Sequence, residues 1–414
     1  MVRRLTVMVG LLALLGGISA QAATAAAPGT RPAKPRLTGS KAVCSVPTTP
    51  DTAMCFARVA TTRAGKPFVS SDVSPDATPD GYGPLQFETA YNLPATAGVP
   101  QTIAIVDAYA QPNITGDLET YDNVMGLPLF PTCTSDAQTS CFLVLNEDGA
   151  SAPLPVAKAG WGLEISMDVE VAHAICQDCR IELYEADSAS FGSLEHAVNT
   201  AAAGGAQVIS NSYGEPGDDC TPASTHNAYD HPHVAITVAA GDLGYERACP
   251  AVLSSVISVG GTTLRFTPSH TYGSESAWYD GGGGCSTTNE ARPWQTSLGA
   301  WKKLACGGRG MNDVAADADP LTGAAVYDSF KKGGWNVVGG TSLSAPLIAG
   351  AYALAHNTSE WAFPGHSVYE NRSGFRDVTT GSDGPCREHP VRCRAAVGYD
   401  LPTGVGTPNG LSGL

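Results

Sequence analysis

The 414-residue sequence predicts an α/β fold with a central, largely parallel sheet flanked by helices. Two observations carry this. Short runs rich in Val, Ile and Ala recur along the chain, and stretches of helical periodicity separate them. Residues 101–107 (QTIAIVD) read as the first buried strand and 114–125 as the helix after it. A helix over 163–175 precedes the strand 180–186 (RIELYEA). A helix over 192–203 precedes the strand 206–212 (AQVISNS). Strands at 234–240 (VAITVAA) and 256–260 (VISVG) follow, and a last long helix is expected over 342–356. Strands buried on both faces lose the in–out alternation of a half-exposed sheet, which is why these runs are nearly continuous. In such sheets ligands bind beyond the carboxyl ends of the strands, which places Asp107, the Tyr213–Gly214 turn and Asp242 on one rim.

The ends of the chain are read differently. Arg3 and Arg4, an apolar run from Leu5 to Ile18, and Ala20-Gln21-Ala22 have the order of a secretory signal peptide, so residues 1–22 are expected to be removed. The run is shorter than the ~20 residues a membrane span needs. Residues 23–80 are rich in Ala, Pro, Thr, Asp and Ser and read as a short, loosely ordered leader. Residues 81–414 are then the working domain.

Charge and cysteine usage narrow the setting. The formal net charge of −15 disfavours nucleic acid and anionic membranes as partners. Twelve cysteines in an exported chain read as disulfides. Near-neighbour pairing is the expectation: Cys44 with Cys55, Cys133 with Cys141, Cys176 with Cys179, Cys220 with Cys249, Cys285 with Cys306 and Cys386 with Cys393. The alternative for Cys176-Gln-Asp-Cys179 is half of a zinc site, for which the sequence holds no second half.

Two segments carry the chemistry. In Gly339-Gly-Thr-Ser342-Leu-Ser-Ala-Pro346, a glycine pair precedes a serine that opens a helix, where free amides and the helix dipole favour a developing negative charge. The bland alternative is a helix-capping serine. A nucleophilic serine needs a base. None of the nine histidines sits in a recognisable catalytic motif. Glu164 and Asp168 lie four residues apart, on one helix face, where like charges repel unless they share a proton. His173 lies about half a turn away from Glu164 around that helix and is read as structural.

With Glu164-x-x-x-Asp168, Ala239-Ala-Gly-Asp242 and Gly340-Thr-Ser342 followed by Pro346, the chain resembles the sedolisin family of serine-carboxyl peptidases, which have a subtilisin-like, three-layer fold. Supporting stretches are 102–113, 210–214, 259–262, 313–319 and 398–408. The resemblance covers about residues 80–414 and implies roles position by position. Ser342 is the nucleophile, Glu164 the proton acceptor and donor, Asp168 the group that tunes Glu164, and Asp242 a protonated oxyanion stabiliser. It implies an acidic pH optimum and a structural Ca2+ held by the carboxylates of Asp377 and Asp400 and the carbonyls of Val378, Ala396 and Gly398. Ser212, Tyr213 and Gly214 are expected to pair with an extended substrate, and Asp107 to be structural or site-supporting. A secreted monomer acting on proteins or peptides is expected. Two other readings stay open at this point. One is a conventional subtilisin-like peptidase using Asp107, Ser342 and an unrecognised histidine. The other is a non-catalytic secreted protein on the same fold.

Overall fold

The 102–107 run becomes the strand Thr102–Ala108, and alternate residues along it go to opposite faces. Ile103 and Ile105 enter one core with Leu163, Met167, Val171, Leu343 and Leu347. Ala104 and Val106 enter a second core with Leu194, Ala197, Val198 and Ala201. Helices Ala159–Ile175 and Thr341–Ala355 therefore cover one face, and helix Phe191–Ala203 covers the other. The structure is a computed structural model and describes residues 36–414 except 75–78, 132, 134–139, 221, 388 and 389.

The main sheet has eight strands. In spatial order the path runs Tyr272–Ala277, Ile257–Phe266, Ala235–Ala239, Val208–Asn211, Thr102–Ala108, Arg180–Ala186 and Cys141–Asn146, with Val314–Asp317 also paired to Ile257–Phe266. All pairings are parallel except that of Tyr272–Ala277. This is the expected subtilisin-like three-layer fold with a largely parallel sheet. Each predicted element appears within a few residues of its expected place, except that the strand at Ile257 continues through Phe266, while the sheet strands Cys141–Asn146, Tyr272–Ala277 and Val314–Asp317 were not expected from the sequence.

The chain start corrects the sequence reading. The expected signal peptide and residues 23–35 of the expected leader lie outside the described residues. Arg36–Leu414 is one compact unit, so the fold does not begin at Gly81. Strand Leu37–Ala42 pairs with Arg58–Thr62, which pairs with Gly334–Gly339, which pairs with Ala324–Asp328. The segment looked unstructured because its short strands carry little periodicity. Their order comes from partners some 280 residues away, which no local pattern announces.

All six near-neighbour disulfides form. Cys176 and Cys179 are thus joined to each other, and the carboxylate between them, Asp178, accepts from the amides of Ala97 and Gly98 at 2.8 Å each. This removes the zinc alternative. Six cross-links fit an oxidising compartment. Among the described residues no helix is long and apolar enough to cross a membrane.

Candidate active site

Every residue of helix Ala159–Ile175 from Trp161 onward is buried. A helix that is apolar nearly all round belongs inside a core, so the carboxylates on it are desolvated. Glu164 and Asp168 share one face, as their spacing requires. Burial pushes Glu164 well above the usual carboxylate range, and the charge of Asp168 pushes it further. The Ser342 hydroxyl and the Ala57 amide pull in the other direction. Burial also raises Asp168, offset in part by the Ser212 hydroxyl.

Two carboxylates from the sheet join this pair. Asp107 is fully buried, and burial followed by Asp168, Glu164 and Glu185 holds it neutral well above its ordinary range. Glu185 sits opposite Asp107 in the parallel ladder and is pushed up to about 7 by burial. The site therefore has a buried cluster of four acids, and mutual repulsion forces them to share protons. Sequence reasoning left Asp107 as a supporting residue and missed Glu185. The register of strands Thr102–Ala108 and Arg180–Ala186 is the information that places them together.

The nucleophile candidate is positioned from the other side. Strand Gly334–Gly339 ends at Gly340, whose φ of 100° is a conformation glycine tolerates. A Cβ there would overlap the Phe56 carbonyl oxygen and lie 2.6 Å from Asp242 Oδ2. Helix Thr341–Ala355 follows immediately, with Ser342 in its first turn and fully buried. Ser342 Oγ donates to the Ser212 carbonyl at 3.0 Å. Pro346 has no N–H to give to the Ser342 carbonyl four residues back. That carbonyl instead accepts from Ser212 Oγ at 3.3 Å, which ties the nucleophile turn to the cleft edge.

Asp242 follows the strand Ala235–Ala239. Its Oδ1 accepts from the Thr341 amide at 2.8 Å and the Thr341 hydroxyl at 3.0 Å. Its Oδ2 is buried and has no hydrogen-bond partner. Burial pushes Asp242 up to about 7, against the opposing pull of the Thr341 amide and the Arg58 charge. A neutral acid with one satisfied oxygen and one free oxygen beside the nucleophile turn is a hydrogen-bond donor in waiting.

Among the described residues no histidine hydrogen-bonds to Ser342 or Asp107. His173 pairs with Asp122 at 2.8 Å and stacks on Phe130, as its position around the helix predicts. The arrangement required of a conventional Asp-His-Ser peptidase is therefore not assembled around Asp107.

The cleft edge is the strand Tyr213–Pro216, preceded by Ser212. Residues from the chain start lie along it. Met54 pairs with Gly214 and Cys55 with Tyr213 in antiparallel register, and the Phe56 amide donates to the Ser212 carbonyl at 3.2 Å. The Ala57 amide donates to Glu164 Oε2 at 2.9 Å. Nothing in the local sequence of this segment signals that placement.

Two of the expected cation ligands, Asp377 and Asp400, meet at one turn. Asp377 Oδ2 accepts from the Gly398 amide at 2.9 Å, and Asp400 Oδ2 accepts from the Ala396 amide at 2.7 Å. Asp377 lies near enough to help raise the pKa of Asp400, which burial pushes up to about 7. Two carboxylates facing one short turn, with the carbonyls of Val378, Ala396 and Gly398 in the same segments, form an all-oxygen set that fits a hard divalent ion.

Residues 169–377 match the model of the subtilase family. Kumamolisin from Bacillus sp. (strain MN-32) is 30% identical over 369 residues, covering 82% of this chain and 64% of that protein. Sedolisin from Pseudomonas sp. (strain 101) is 27% identical over 371 residues, covering 80% of this chain and 60% of that one. The chain thus spans less than two thirds of the length of either relative. The solved structure of Pseudomonas sedolisin, a serine-carboxyl proteinase complexed with pseudo-iodotyrostatin, superposes with a TM-score of 0.66 at 23% identity, over 80% of this chain and 96% of that one.

Proposed function

We propose, on the premise that the chain belongs to the subtilase family and to its sedolisin branch, that it is a secreted serine-carboxyl peptidase hydrolysing peptide bonds in proteins at acidic pH. Ser342 Oγ attacks the carbonyl carbon, and its proton passes to Glu164. Glu164 returns that proton to the leaving amine nitrogen as the C–N bond breaks. Asp168, one helical turn along, adjusts how tightly Glu164 holds the proton. Asp242, neutral at acidic pH, donates from Oδ2 to the oxyanion, assisted by the start of helix Thr341–Ala355. Water then attacks the acyl-serine, with Glu164 taking the water's proton and Ser342 recovering its own.

The observation that carries this reading is the buried Ser342 set between proton-holding carboxylates and the free Oδ2 of Asp242. Ser212, Tyr213 and Gly214 bind the substrate as an added strand. A chain can run along this edge and continue past Met54, where the Ala53 amide donates to the Ala189 carbonyl. That continuity supports internal cleavage over removal of a short terminal peptide. Asp377, Asp400 and the carbonyls of Val378, Ala396 and Gly398 would hold a structural Ca2+. Bound there, its positive charge would offset the repulsion of the two carboxylates.

The test is digestion of a denatured protein from about pH 3 to about pH 8 by the wild type and Ser342→Ala. Digestion by the wild type on the acidic side, absent in the variant, is expected. A rate maximum above neutrality overturns the acid mechanism. No digestion at any pH returns the protein to the non-catalytic reading.

A further inference from the structure

Asp242 sits in a loop that is pinned at the residue before it. The Gly241 amide donates to the Thr341 hydroxyl at 2.9 Å, and the Gly241 carbonyl accepts from the Gly282 amide at 2.6 Å. The two loops touch closely here, because a Cβ at Gly282 would overlap the Ala240 carbonyl oxygen. Where the free Oδ2 of Asp242 points therefore depends on where the Gly282 peptide is held.

The other end of Gly282 is held by Asn312. Asn312 Nδ2 donates to the Gly282 carbonyl at 2.8 Å, to the Leu401 carbonyl at 2.7 Å and to the Pro402 carbonyl at 3.1 Å. Asn312 Oδ1 accepts from the Ser258 hydroxyl at 3.1 Å, and the Asn312 amide donates to that same Ser258 oxygen at 3.2 Å. Turning the carboxamide over would set its oxygen against three carbonyl oxygens, so one orientation is enforced. The residue is fully buried, with φ at 64°, a left-handed conformation that Asn enters more readily than most residues with a side chain. Ser258 lies beside Val238, on the strand that leads to Asp242. Leu401 and Pro402 follow Asp400, whose Oδ1 accepts from the Thr403 amide and hydroxyl at 2.9 Å each. One side chain thus fastens three segments that are far apart in sequence, and the Asp242 loop rests against one of them.

We infer that Asn312 is a positioning residue for the hydrolysis: it holds Gly282, and through Gly282 it sets the Asp242 carboxyl where the oxyanion forms. The inference rests on the peptidase reading above and on the part Asp242 plays in it. An oxyanion donor works only within about 2.7–3.1 Å of the developing charge, and a misplacement of about 1 Å costs up to about 10²-fold. None of the hydrogen bonds of Asn312 reaches the substrate edge at Ser212–Gly214, so the loss belongs to kcat and not to KM.

The test is a double-mutant cycle on the full chain with a fluorogenic peptide at about pH 4, with melts at the same pH. Asn312→Gly suits the backbone angle and removes the side chain. It is expected to lower kcat about tenfold to a hundredfold, with KM within about twofold. In an Asp242→Ala background the same change is expected to cost less than about twofold, because the donor it positions is already gone. Ser258→Ala keeps Asn312 but frees its carboxamide to turn. It is expected to lower kcat by about twofold to tenfold, again only where Asp242 is present, and it serves if Asn312→Gly melts below the assay temperature. Equal losses in both backgrounds, a loss confined to KM, or an unchanged kcat in both variants overturns the inference and leaves the peptidase reading standing. A wild type that hydrolyses no peptide at any pH overturns both.

Discussion

Replacing Asp242 separates the proposed oxyanion role from a structural one. Its Oδ1 is satisfied by Thr341, and only Oδ2 is free to act on substrate. With a pKa of about 7, Asp242 is about 0.1% ionised at pH 4 and about 90% ionised at pH 8. An ionised Oδ2 repels the oxyanion, so the rate is expected to fall about tenfold per unit above neutrality. Asp242→Ala removes the donor at every pH and is expected to lower kcat by about 10² to 10³, or about 3–4 kcal/mol, with little change in KM. Asp242→Asn keeps a donor that does not titrate. It is expected to retain most of the acidic rate and to lose the decline above about pH 7.

The same substitution has a signature in stability. The folded pKa of Asp242 is raised above its unfolded value. Its contribution is therefore fully present below about pH 4 and is lost as pH rises through about 7. Three units correspond to about 4 kcal/mol, and Asp242 is only 4% exposed, so solvent screening takes little from this. Steady-state kinetics on a fluorogenic peptide, run with denaturant melts at the same pH values, measures both effects. An Asp242→Ala enzyme with wild-type kcat at acidic pH would refute the reasoning. So would an Asp242→Asn enzyme that keeps the wild-type alkaline decline.

Two further outcomes follow from the same geometry. Chelation of divalent cations is expected to lower the melting temperature of the wild type, and Asp400→Asn is expected to abolish that sensitivity; an unchanged melting curve removes the calcium assignment. Gly340→Ala places a side chain where φ is 100° and where the Phe56 carbonyl already sits. Backbone strain alone costs about 1–3 kcal/mol, and the collision adds to it. A fully active, undiminished Gly340→Ala enzyme, seen by melting and by peptide turnover, would show that the turn geometry is not needed.

Much of the fold was legible because the main sheet consists of local signals. Strand Arg180–Ala186 and helix Ile114–Met125 fall where composition and periodicity put them. Glu164 and Asp168 were legible as a pair because four-residue spacing fixes their shared helix face. The partners that complete their cluster were not. Asp107 and Glu185 meet through a parallel ladder whose register depends on the whole sheet. The most consequential omission lies at residues 54–59. Arg58 pairs with Gly339 and Val59 with Val338, so this segment owes its order to the strand that leads to the nucleophile. A six-residue run of mixed apolar, small and charged side chains carries no mark of such a distant partner. Its low periodicity made it look detached when it occupies the centre of the cleft.

Glu164 is the residue on which serine-carboxyl chemistry stands or falls. Converting its carboxylate to an amide preserves volume and the contact with the Ala57 amide, yet removes the group proposed to carry a proton between Ser342 and the leaving nitrogen. Peptide hydrolysis by Glu164→Gln, measured beside the wild type from about pH 3 to about pH 8, is expected to fall by about 10² to 10⁴ throughout. Wild-type turnover by that variant at any pH would contradict the account.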